Sequence, residues 1–258
     1  MFGDLHIHMI LDGVYYRAAI DAQKEHPLDG LVRARLSDYQ ARGVCLLRDG
    51  GDAWGVSLRA RELAGEYGID YRSPAFPIYR RGHYGAFIGR GFDTEDEYRA
   101  LLDEAGEKRA DFIKLMISGL IDFDHFGVLT EPGPEPQDIR RMIELAHAAG
   151  FAVMAHANGD RAVTAADSIE HGAYLSESVL LRMAQQRTLW VPTLSTIGNL
   201  IGSGRYPDAV LRRLLAQQQE AVRFVAAHGG RIGLGSDAGA WHVMHGQAIS
   251  DGLGYLTA

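Results

Sequence analysis

Two histidines, His6 and His8, open the chain two residues apart in the run GDLHIHMI. In a β-strand a spacing of two puts both rings on one face, about 6–7 Å apart along the backbone. Two imidazoles so placed can converge on one ion. Three more residues with metal-binding chemistry end later apolar runs: His156 in VMAHANG, His171 in IEHG and Asp237 in GSDAG. Imidazole nitrogen and carboxylate oxygen are the ligands of zinc-like ions. Each residue alone has an ordinary explanation: a satisfied core histidine, a loop cap, a turn aspartate. Four histidines and an aspartate at the ends of four apolar runs are not expected by chance. Lys114 lies in FIKLMISG, flanked by apolar side chains. Burying a charged lysine is costly and lowers its pKa. Such a lysine snorkels to solvent, pairs with an acid such as Glu170 or Asp237, or takes up CO2 on its neutral amine. The resulting carbamate is a carboxylate that can bridge two metal ions.

These residues need elements to hold them. Eight short apolar runs read as strands: FGDLHIHM, GVCLLRDGG, IDYRSPAF, DFIKLMISG, FAVMAHANG, DSIEHG, TLWVPTL and RIGLGSD. Amphipathic segments lie between most of them, at 57–67, 94–108, 135–149, 176–186 and 207–228. In EPQDIRRMIELAHAAG, Ile139, Met142, Ile143, Leu145 and Ala146 follow helical spacing, and Gly150 stops the helix. Strands alternating with helices imply a parallel sheet. Eight such units in 258 residues is the size of a TIM (β/α)8 barrel, and the ligand candidates then sit at the strand ends that form its working face. The alternative, an open doubly wound sheet, usually has a glycine-rich phosphate loop after its first strand. HIHMILDGVYY is not one. The longest non-helical stretches are 75–93 and 118–136.

Composition narrows the class. The chain is 47% hydrophobic, with a formal net charge of −7 and no lysine/arginine run, which argues against a nucleic-acid partner. Cys45 is the single cysteine, so no intrachain disulfide forms and a reducing, cytoplasmic setting fits. No signal peptide precedes the first strand, and no apolar run approaches the roughly 20 residues of a membrane span. One domain over residues 1–258 is expected.

The ordered set His6–x–His8, Lys114, His156, His171, Asp237 resembles the metal-dependent amidohydrolase superfamily in its two-metal form. DFIKLMISG, VMAHANG, DSIEHGAYL, WVPTL and GSDAG resemble the subgroup of imidazolonepropionase-like enzymes and Xaa-Pro dipeptidases. The resemblance implies an amidohydrolase-type barrel and two divalent ions, zinc foremost. It places His6, His8 and Asp237 on the more buried ion, His156 and His171 on the second, and carbamylated Lys114 between them. It further implies that hydroxide shared by the metals attacks a carbonyl while Asp237 shuttles the proton.

Three departures from the family stand out. The small β-sandwich that usually flanks the barrel is mostly lacking, which implies a barrel-only chain or a fragment. His156 and His171 are only fifteen positions apart, which shortens the intervening helix and could distort the second metal site. The last segment, HGQAISDGLGYLTA, has glycines and no clean period, so its helix looks stunted; apolar surface left there could be covered by a second copy.

The expected reaction is hydrolysis of an amide or peptide C–N bond in a small molecule, of dipeptide or N-acyl amino acid type. The deaminase branches carry HxxE at the fifth strand, and HANGDRA has no glutamate. A lactonase or cyclic-amide hydrolase on the same site, and a degenerate barrel that binds without turnover, are the alternatives. In the loop YRRGHYG, Tyr79, Arg80, Arg81, His83 and Tyr84 are candidates for holding a substrate carboxylate. Relatives often place a histidine after the third strand, which favours His83. Tyr15, Tyr16, His242 and His245 follow strands and are weaker pocket candidates. His147 and His228 fit helix C-termini, where a protonated ring meets the helix dipole favourably. His26 and His125 fall in loops with no evident partner.

Overall fold

A computed structural model describes residues 2–162 and 165–257. In chain order the strands are β1 (Phe2–Ile7), β2 (Val44–Asp49), β3 (Asp70–Arg72), β4 (Pro77–Arg80), β5 (Arg90–Phe92), β6 (Ile113–Met116), β7 (Val153–Ala157), β8 (Ser168–His171), β9 (Leu189–Val191) and β10 (Arg231–Ile232). The helices are α1 (Tyr16–Asp21), α2 (Asp29–Ala41), α3 (Val56–Ala64), α4 (Glu95–Glu107), α5 (Pro136–Ala148), α6 (Glu177–Gln186), α7 (Ser195–Gly198), α8 (Asp208–Ala227) and α9 (Gln247–Thr257). Local chemistry starts them. Thr94 caps α4 by accepting from the Glu97 N–H, behind three acids in the first turn. Pro136 opens α5, whose buried face is the predicted Ile139, Met142, Ile143, Leu145 and Ala146.

All pairings between these strands are parallel. They run β1-β2-β3 in one sheet and β10-β9-β8-β7-β6-β4-β5 in another. β6, β7 and β8 are buried at every position, as strands covered on both faces must be. The two sheets also meet. On one side β3 leads through residues 73–76 into β4, and the Asp111 N–H donates to the Ser73 carbonyl at 2.8 Å. On the other, the Leu5 N–H donates to the Leu234 carbonyl (2.9 Å), Asp237 to His6 (2.7 Å) and His8 to Ala238 (2.8 Å). The start of the chain is thereby stitched to the segment that follows β10.

Each expected strand contains an observed one. Three differences concern what lies between. The stretch 75–93 is not wholly irregular: β4 and β5 pair within it, Ile78 with Arg90 through Arg80 with Phe92. Among its described residues the link from His156 to His171 contains a 3-10 turn, Asp160–Ala162; Val163 and Thr164 lie outside the described residues. The final segment forms a helix of eleven residues, not a stunted one, and buries Ala248, Ile249 and Gly252. Its glycine is a contact, since a Cβ on Gly252 would lie 2.9 Å from Ser195 Oγ. On α7, a Cβ on Gly198 would lie 2.2 Å from the Tyr255 ring, so the two helices touch where side chains are absent.

Candidate metal centre

The predicted ligands gather at the C-terminal ends of the parallel strands. His6 Nε2 lies 3.4 Å from His8 Nε2 and 3.4 Å from Asp237 Oδ1, and His8 Nε2 lies 3.3 Å from the same oxygen. Three donor atoms within 4.8 Å of one another form a cradle for a single cation. Backbone bonds between β1 and residues 234–238 hold it. Gly50 makes room for it, since a Cβ there would lie 2.4 Å from His8 Cε1. His156 and His171 come next. Their rings are 4.5 Å apart, and His171 is 5.0 Å from His6. The shortened connection keeps the pair together, because β7 and β8 run in register with Ala157 opposite His171.

The buried Glu170 was anticipated only as a partner for Lys114. It instead organises His6: Oε2 is 2.7 Å from His6 Nδ1, while Oε1 accepts from Arg48 Nη2 (2.6 Å) and Ser168 Oγ (2.8 Å). A carboxylate on Nδ1 fixes the tautomer that leaves Nε2 free to ligate. Thr193 Oγ1 does the same for His171, at 2.7 Å from Nδ1. An acid two residues from another buried polar group, on a strand apolar on both faces, was the available signal for Glu170. Arg48 had none, because its partner lies 122 positions away.

Lys114 is fully buried, and its Nζ has no hydrogen-bond partner. Burial pulls its pKa down to about 8, against the opposing pull of Glu170 and Asp237. Its expected pairing with either acid is therefore not made as a contact. Burial, with Lys114 the next cause, holds His6 well below the usual imidazole range and His156 at about 3; burial and His156 do the same for His171. Neutral imidazoles are the ligating form. Three residues of the cluster have left-handed backbone: His171 (φ 67°), Thr193 (φ 46°) and Asp237 (φ 62°). Non-glycine residues there store strain of about 1–3 kcal/mol each, a cost found mostly at working sites.

The substrate candidates divide. Tyr84 reaches the cluster: its ring is 5.0 Å from that of His156. Burial, then the charge of Asp237, keeps its hydroxyl protonated. His83 is beside it, with Nδ1 3.4 Å from Glu131 Oε2, and Glu131 Oε1 accepts from the Tyr84 N–H at 2.6 Å. Glu131 was not anticipated; it ties the loop after β4 to the loop after β6. Arg80 turns away to Asp138, and Arg81 to Asp93 and Glu97. The Tyr79 side chain lies over Gly85 and Gly91. His245 corrects the expectation of a pocket residue: its nitrogens are 3.1 Å from Tyr39 Oη and 2.9 Å from the Leu11 carbonyl, so neither is left for a ligand. His242 stacks on Trp241 at 4.0 Å. His125, expected to lack a partner, meets Asp122 at 2.9 Å. His147 meets Asp167 at 2.8 Å, and His228 Nδ1 meets the Phe224 carbonyl at 2.8 Å.

No family model and no curated protein matches the chain. Solved structures do. A Xaa-Pro dipeptidase with methionine bound in its active site superposes with a TM-score of 0.78 at 19% identity, covering 99% of this chain and 69% of that one. An amidohydrolase gives 0.75 at 22% identity, covering 99% and 68%. A prolidase in complex with N-methylphosphonate-L-proline gives 0.69 at 24% identity, covering 99% and 70%. No helix among the described residues is long and apolar enough to cross a membrane. The chain has an α/β fold with a parallel sheet, and it is the fold of these hydrolases.

Proposed function

We propose that this chain is a metal-dependent amidohydrolase, built on a closed (β/α)8 barrel, that cleaves the amide bond of a dipeptide or an N-acyl amino acid. The observation that carries it is the cradle of His6 Nε2, His8 Nε2 and Asp237 Oδ1 next to a buried lysine whose amine has no partner. The residues fit two divalent ions. His6, His8 and Asp237 would hold one, His156 and His171 the other, with carbamylated Lys114 between them. Carbamylation would account for the orphaned amine: it would turn a costly buried cation into an anionic carboxylate able to ligate divalent ions. Bound divalent ions, zinc by the donor set, supply a polarised carbonyl and a water nucleophilic near neutral pH.

The chain's own groups do the rest. Glu170 and Thr193 orient the histidines. Asp237, with its side chain 12% exposed, is open to substrate, takes the proton of the attacking water and passes it to the leaving nitrogen. Tyr84 and His83 line the approach.

The test is hydrolysis of a panel of dipeptides and N-acyl amino acids by protein stripped of metal and then reloaded. Turnover should vanish and return with zinc-like ions. Asp237→Asn should keep the fold and lose about 10²–10⁴-fold in rate. Turnover that survives chelation, or that Asp237→Asn leaves intact, rules the proposal out.

A further inference from the structure

Aromatic rings form a ladder from the surface to the candidate centre. Tyr15 and Tyr16, just past β1, are 55% and 40% exposed, with ring centroids 6.4 Å apart. Tyr16 meets Phe87 edge-on at 5.7 Å, and Phe87 meets Tyr84 at 5.5 Å. Tyr84 then lies 5.0 Å from His156, and His156 is 4.5 Å from His171. Every step falls in the range of favourable ring pairs. The ladder's outer rungs come from the start of α1 and the loop between β4 and β5, and its inner rungs are His156 on β7 and His171 on β8. Val14, the residue before Tyr15, is 61% exposed.

Ordinary packing does not account for the outer rungs. Val14, Tyr15 and Tyr16 are consecutive and exposed, and contiguous exposed apolar patches mark binding surfaces. Three other expected pocket residues are engaged elsewhere: Arg80 with Asp138, Arg81 with two acids, and His245 with Tyr39 and Leu11. The wall that runs from Phe87 through Tyr84 to His156 is therefore aromatic, while Arg17 lies over the outer Tyr16 ring and donates to its hydroxyl. Rings favour rings by edge and offset contacts beyond the area they bury.

We propose that Tyr16, Phe87 and Tyr84 form an aromatic subsite, and that the preferred substrate carries an aromatic ring beside its scissile amide. This rests on the amide-hydrolase reading above. The ring would pack against Phe87 and Tyr16 while the amide reaches the centre past Tyr84.

The test compares N-acetyl-phenylalanine and phenylacetyl-glycine with N-acetyl-glycine as substrates of the metal-loaded protein. One ring-bearing compound should exceed N-acetyl-glycine at least tenfold in kcat/KM. Phe87→Ala should cut that ratio about tenfold at unchanged metal content, and Phe87→Tyr should restore most of it. A wild-type ratio near one overturns the proposal, as does Phe87→Ala slowing both substrates equally. If no amide is hydrolysed, the enzymatic reading fails separately, and calorimetric titration of the metal-loaded protein with phenylalanine and with glycine decides. Tighter phenylalanine binding that Phe87→Ala abolishes supports the subsite; equal binding of the two overturns it.

Discussion

Glu170→Gln is the change whose consequences the structure specifies most fully. The carboxylate is fully buried and uses both oxygens: one on His6 Nδ1, the other on Arg48 and Ser168. An amide cannot serve all three. If its oxygen stays on Arg48, its NH2 faces His6 Nδ1. That nitrogen must then accept, the ring proton moves to Nε2, and the lone pair aimed at the cation is lost. If the amide flips, the NH2 faces a guanidinium whose side chain is only 15% exposed. Removing one partner of a buried ion pair costs about 3–5 kcal/mol. Taking the low end because Gln keeps one acceptor, and about 2–4 °C per kcal/mol for a chain of this size, Tm should fall by about 6–12 °C. Loss of the second-layer carboxylate should weaken metal binding about 10–100-fold. Thermal unfolding of the metal-free protein and a competitive zinc titration read the two effects apart. A Tm within about 2 °C of wild type together with unchanged zinc affinity would refute the assignment of Glu170 as the group that sets the His6 tautomer.

Other outcomes follow from the same contacts. Gly50→Ala should displace His8, whose Cε1 lies 2.4 Å from the added Cβ; metal content should fall while circular dichroism is retained. Lys114→Met replaces a buried amine without a partner, so the metal-free variant should unfold at a higher temperature than wild type near pH 7. The pH dependence has a definite sign. The Lys114 amine is held at about 8 in the folded chain against 10.5 in the unfolded one, so between those values the unfolded state binds more protons. Metal-free wild type should therefore gain on Lys114→Met by about 3 kcal/mol as pH rises from 8 to 10.5; a flat difference in denaturant midpoints contradicts this. Arg33→Ala removes exposed contacts with Glu66 and Tyr67 and should leave the denaturant midpoint close to wild type in the same titrations.

Much of the candidate centre was legible because its proposed ligands come from short apolar strands with few positions for a polar side chain. His6, His8, Lys114, His156, His171 and Asp237 stand out against such runs, and the structure brings them to one face. What supports them was harder to see. Arg48 and Glu170 meet across 122 residues, and no local pattern announces that pair. His245 has the same chemistry as the ligand candidates, but Tyr39, 206 positions away, takes one of its nitrogens. Among the helices, α1, α2 and the short α7 were missed. α2 buries only Val32, Leu36 and Tyr39 among charged neighbours, so its apolar stripe is thin. α9 looked broken by its glycines because the use of one of them, Gly252 in close contact with Ser195 of α7, is a property of the packed state.

The central claim is two metal ions joined through a modified lysine, and metal content tests it most directly. Protein produced with zinc and bicarbonate, dialysed and analysed for metal, should hold about two equivalents per chain, with carbamate density on Lys114 Nζ in a crystal and a clear loss of metal in Lys114→Met. One equivalent or fewer, with a bare amine at Lys114, would contradict it.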